Sequence, residues 1–239
     1  MFRDQLPRHL LWCTVIPKNS KERTSRGSAP CAPSWSWASL IGPTEYSAFL
    51  FGVEETSHVV MHGAETYCPP FSAVQHTGEL ILGKLTIEGS VVPVRIGPWI
   101  RGTSEHLAVV QSPANVRSEI IIDDIQRHKR TISDDKECWK VGPIAGHKCD
   151  KCDPSTVKWD EERFLCLKVA TYMLPDTGKR RLVDSTSTHF LVLESVGADQ
   201  ILWRRFGVGS FDPSLDDEGV MEIEQRLFDN AEQRKVVII

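Results

Sequence analysis

A mainly β fold, an antiparallel β sandwich or barrel with one C-terminal helix, is predicted by three features of this 239-residue sequence. Short runs rich in Val, Ile, Leu and Phe recur along the chain, separated by Gly, Pro and Asp. Two pairs of such runs flank turn residues, at Glu88-Gly89 and at Gly197-Ala198-Asp199, and read as hairpins. One segment, 219–234, carries apolar residues at helical spacing (Met221, Ile223, Leu227, Phe228).

In order, residues 10–16 form a β-prone start, followed by a basic polar loop over 18–30. In "APSWSWAS" (32–39) an extended backbone would send Trp35 and Trp37 to one face and Ser34, Ser36 and Ala38 to the other, with Pro33 at the strand start and Gly42-Pro43 closing it. Strands over 46–53 and 57–62 follow before Pro69-Pro70 breaks the chain. Runs 79–87 and 90–96 form the first hairpin around Gly89, with Pro93 moving its second strand toward an edge. Residues 118–122 form another short strand, and 123–163 read as a long loop or insertion, polar and without period over most of their length. "FLCLKVATY" (164–172) is apolar on both faces apart from Lys168, the pattern of a central strand. Runs 189–196 and 200–210 make the second hairpin, and 236–239 a terminal strand. A single β-rich domain spanning 1–239 accounts for all of it.

Composition narrows the function classes. With 41% hydrophobic and 25% charged residues the chain is ordinary globular material, and a net charge of −4 gives no general attraction to nucleic acid or anionic lipid. No run approaches the roughly 18 apolar residues of a membrane span, so no membrane partner is expected. The apolar run behind Arg3 and Arg8 is short and lacks a cleavage pattern, which argues against a signal peptide. Seven scattered cysteines suit reduced thiols and a cytoplasmic location better than a disulfide framework.

Large aromatic area is usually buried, roughly 150–250 Å² per ring, so Trp35 and Trp37 read first as core and second as a platform for a sugar or base. Cys138, His147, Cys149 and Cys152 are the nearest approach to a zinc set, with one C-x-x-C knuckle where a zinc ribbon repeats it. The favoured reading is a solvated loop with free thiols and no metal. Asp123-Asp124, Asp134-Asp135 and Asp216-Asp217 read as solvated pairs, and "GVGSF" (207–211) as a strand ending in a turn, since it lacks the order of a nucleophile elbow or phosphate loop. His189, near Ser185, Ser187 and Asp184, reads as a histidine at a strand start. The basic groups Lys18, Lys21, Arg23, Arg26 and Arg127, His128, Lys129, Arg130 have no interleaved aromatics for stacking bases, so no nucleic-acid partner is expected.

The run Pro33, Ser34, Trp35, Ser36, Trp37, Ala38, Ser39 resembles the signature found beyond the N-terminal domain of fungal heterokaryon-incompatibility (HET) domain proteins. "LPRHLLW" (6–12), "LILGKLTIEGSVVPV" (80–94), "FLVLESVG" (190–197) and "LWRRFGVGSF" (202–211) resemble successive segments of the same region. Cys31 stands where that family commonly has an aromatic or basic residue, and 128–163 have no counterpart in it. The family's death-inducing activity belongs to its HET domain, related in fold to Toll/interleukin-receptor domains, and no residue here matches that domain. The resemblance therefore implies a chain that starts downstream of the HET domain and is not an enzyme. It would be a non-catalytic accessory or interaction region with a role in non-self recognition and regulated cell death, needing no cofactor and acting with a HET domain in cis or trans. The alternative is a carbohydrate- or small-ligand-binding β domain that presents Trp35 and Trp37.

Overall fold

The two-faced apolar pattern of "FLCLKVATY" forms the centre of a sheet in the computed structural model, which describes residues 10–14, 25–26, 34–35, 40–41, 44–46, 55–67, 82–98, 107–114, 116–123, 158, 163–173, 186–197, 201–211, 227–228 and 230–239. The early strands are short: β1 (Trp12–Thr14), β2 (Ser25–Arg26), β3 (Leu40–Ile41), β4 (Thr44–Tyr46) and β5 (Glu55–Ser57). Longer ones follow as β6 (Val59–Tyr67), β7 (Leu82–Pro98), β8 (Leu107–Gln111), β9 (Arg117–Ile122), β10 (Phe164–Met173), β11 (Thr186–Val196), β12 (Leu202–Phe211) and β13 (Glu232–Ile238). β1 pairs β4 and β2 pairs β3; the other nine strands form one sheet.

The sheet is mixed and curls into a partial ring. Antiparallel pairings run from β7 through β8, β9, β12, β11 and β10 and return to β7, where Phe164 to Leu167 lie opposite Val94 to Val91. Directly opposed residues share a face, so Val92, Val94, Val110, Ile120, Val192 and Cys166 line one side of the ring continuously. That side is the interior, because the opposite side of β7 to β9 carries the partly or fully exposed Arg95, Leu107, Glu119 and Ile121. Along β10, Phe164 and Cys166 join this inner cluster while Leu165, Leu167 and Val169 join a second one with Leu85, Ile87, Leu191, Trp203 and Ile238. The expectation of a central strand at 164–172 is met.

Two elements bridge where ring strands diverge. β13 lies between the first half of β7 and the start of β12, antiparallel to one and parallel to the other. A parallel partner needs a crossover of a dozen or more residues, and 212–231 supply it, with Leu227 packed on the inner cluster. On the other side β7 and β10 fork. β5 runs along β10 (Ser57 opposite Ala170) and β6 runs back along β7 (Val59 opposite Gly89), a V with His58 at its tip.

Three expectations are corrected. Glu88-Gly89 is no turn: β7 runs through it as one strand of 17 residues. Gly89 lies where the V enters the fork, and a Cβ there would stand 3.0 Å from the side chains of Leu167 and Val59 and 3.2 Å from the His58 carbonyl, so glycine serves close approach rather than positive φ. Within 219–234 the described residues Leu227–Phe228 are helical, but 232–234 belong to β13, since the apolar alternation of Val236 and Ile238 continues the ladder with β7. Ser34 and Trp35 lie in a turn rather than a strand. The second hairpin is as expected, β11 and β12 joined past Gly197, whose φ of 97° is the one positive value among the described glycines. β8 had no counterpart in the sequence reading. Most of 123–163, and all but Tyr46 of the strand expected over 46–53, lie outside the described residues.

Candidate functional site

The most elaborate polar group in the structure grows from a bulge in β12. The register passes from Leu193 opposite Arg205 to Val192 opposite Gly207, leaving Phe206 as the extra residue. Its carbonyl accepts the Asp123 N–H (2.9 Å), which brings the end of β9 against β12. The Arg205 guanidinium meets the Asp123 carboxylate side-on, Nε 3.1 Å from Oδ2 and Nη2 3.2 Å from Oδ1, while Nη1 donates to the Leu10 carbonyl (2.9 Å). Both side chains are buried. The Arg205 N–H donates to Ser34 Oγ (3.2 Å), and the Ser34 hydroxyl and N–H both donate to the Ile239 carbonyl. Ile239 N–H in turn donates to the Trp203 carbonyl (2.9 Å).

Five distant parts of the chain thus meet at one buried ion pair. An arginine stays charged at any working pH, so its burial requires a carboxylate and well-placed acceptors, and here it has them. A carboxylate whose two oxygens both face a guanidinium is poorly placed to act as a general base, so the group is built for positioning. Asp123 departs from the solvated pair expected of Asp123-Asp124, because Arg205 compensates its charge. Arg205 itself went unnoticed in the sequence. Its signal is the two-residue offset from Trp203, which puts both on one face of β12, though Arg204 next to it looks the same in composition.

The signature residues described are Ser34 and Trp35. Ser34 is the buried link just given, and its bonds across β12 and β13 explain why this segment turns instead of running as a strand. Trp35 is partly buried and packs on the cluster that contains Leu10, Leu11 and Trp203. Pro33, Ser36, Trp37, Ala38 and Ser39 lie outside the described residues, as do Cys138, His147, Cys149 and Cys152. Cys166 is a free buried thiol whose pKa burial pushes well up, away from nucleophilic use.

Two smaller clusters involve histidine. His189 lies within β11, not at its start; its Nε2 is 3.2 Å from Ser187 Oγ and its ring meets Tyr172 edge-on at 5.1 Å. Ser187 and His189 are 0% and 1% exposed, so no substrate carbonyl reaches the hydroxyl in this conformation. His58 Nε2 is 2.7 Å from Thr171 Oγ1, which is 2.8 Å from Thr188 Oγ1. Burial, with the nearby Lys168 ammonium adding to it, pushes the His58 pKa down to about 4. The glycines of "GVGSF" continue β12 as a strand: a Cβ on Gly209 would collide with the Phe190 ring, and one on Gly207 with the Ile121 carbonyl oxygen. They admit neighbours and hold no phosphate loop.

No family model, curated protein or solved structure matches this chain.

Proposed function

We propose that the chain is a non-catalytic accessory region of the HET type, acting in fungal heterokaryon incompatibility and regulated cell death by packing against a HET domain in cis or trans. The observation that supports this reading is the use made of the signature: Ser34 is buried between Arg205 and Ile239, and Trp35 rests on core residues. A signature spent on internal bonds belongs to a scaffold. The reading of Trp35 and Trp37 as a carbohydrate platform needs two presented indoles, and the packing of Trp35 weighs against it. Among the described residues no helix is long and apolar enough to cross a membrane.

The test is expression of 1–239 in a fungal host, alone and with a HET domain. Alone it is expected to leave viability unchanged, and purified protein is expected not to consume nicotinamide dinucleotides. With the HET domain, fused or separate, it is expected to bind and to shift the expression level at which cells die. Turnover of the dinucleotide by the purified chain, or absence of any binding or shift with the HET domain, overturns the proposal.

A further inference from the structure

The V formed by β5, His58 and β6 is held differently from the rest of the sheet. Its tip is fastened by three contacts: the His58 N–H donates to the Val169 carbonyl (2.8 Å), His58 Nε2 bonds Thr171, and Val59 packs beside Gly89. Val169 is the bulged residue of β10, with its register shift against β11 between Lys168 and Ala170, so its carbonyl is turned toward the fork. Along the arms Thr56, Ser57, Val60, His62, Ala64 and Glu65 are exposed. The strands on either side have other partners besides the V. β13 holds β7 at Leu85 to Val91 from the far edge, and β11 holds β10 along its length.

The charged groups around the tip divide by element. Lys168, on β10, carries its ammonium over the Phe228 ring at 5.7 Å from the centroid, and its charge opposes a second positive charge on the imidazole. Glu88, on β7, is engaged by His62 at 2.7 Å. Thr171 and Thr188, on β10 and β11, supply hydroxyls that suit a neutral ring.

We propose that this V is a detachable wedge whose seating requires a neutral His58, so that the edges of β7 and β10 are uncovered when that imidazole takes a proton. The uncoupled imidazole binds a proton more tightly in water than beside Lys168, so acid favours the detached state. The wedge therefore opens at its tip first.

Hydrogen exchange on the full chain tests this, with rates corrected for intrinsic pH dependence. Between about pH 7 and about pH 4.5, exchange in 55–67 is expected to rise by about tenfold or more while β11 amides stay protected. His58→Gln, which keeps a hydrogen-bonding side chain but takes no proton, is expected to abolish the rise. Lys168→Met, which removes part of the penalty on a charged seated ring, is expected to make the rise smaller. Equal exchange at both pH values, a rise that persists in His58→Gln, or loss of β11 protection together with β6 overturns the proposal. If His58→Gln fails to fold, an undiminished rise in Lys168→Met overturns it alone.

Discussion

β11 and β6 are long strands of one sheet with opposite environments. In β11 every side chain from Ser187 to Ser195 is buried, Phe190 and Val192 on the inner cluster and Leu191 and Leu193 on the other. In β6 the side chains from Val59 to Glu65 are half-buried or exposed, and Val59 and Met61 alone reach a core cluster. β11 is paired along both edges, by β10 and β12, whereas β6 meets β7. Burial on two faces and pairing on two edges make β11 part of the unit that unfolds last, while β6 opens at a fraction of that cost. Stability in this sheet is concentrated in the strands whose sequence is apolar at consecutive positions.

The strongest challenge to that contrast is at the ion pair, which belongs to the β11 side. Asp123→Ala leaves Arg205 charged, buried and uncompensated, and is expected to cost about 3–5 kcal/mol. In a domain of this size that lowers the thermal midpoint by roughly 10 °C. Replacing both partners, Asp123→Leu with Arg205→Met, is expected to recover most of the loss. A loss below about 1 kcal/mol in denaturant titration of Asp123→Ala removes the junction from the core unit.

A smaller effect is expected from crowding the inner cluster. Gly209→Ala drives a methyl group into the Phe190 ring and is expected to cost about 1–3 kcal/mol, with Phe190→Leu in the same chain recovering part of it. Additive losses in the double variant would show that the two residues do not press on each other. The least effect is expected on the wedge side. His62→Gln breaks an exposed pair with Glu88 and is expected to change global stability by less than about 0.5 kcal/mol at neutral pH. A loss comparable to that of Gly209→Ala would mean that β6 unfolds with the core, and the contrast would fail.

How much of this was legible follows from the range over which each signal acts. The β11–β12 hairpin was readable because Gly197 sits in a turn that needs positive φ, a local demand met by a local residue. The same logic failed at Gly89, where the demand comes from Leu167 and Val59, far away in sequence. The two-sided burial of β10 was readable in consecutive apolar residues, and "GVGSF" as strand in its lack of motif order. The candidate site was half visible. The signature run marked Ser34, but its partners Arg205 and Ile239 lie 171 and 205 residues away, and nothing in their spacing connects them.

By itself, then, the sequence determined the mainly β class, the strands of the second hairpin and which stretches had to be buried, because alternation and turn chemistry act between neighbours along the chain. The tertiary structure decided that β7 runs straight through Glu88-Gly89, that Asp123 rather than solvent answers Arg205, and that β13 pairs in parallel with β12. Those outcomes depend on which backbone comes within about 5 Å of which other, and a desolvated charge or a missing Cβ has its reason only in that neighbour.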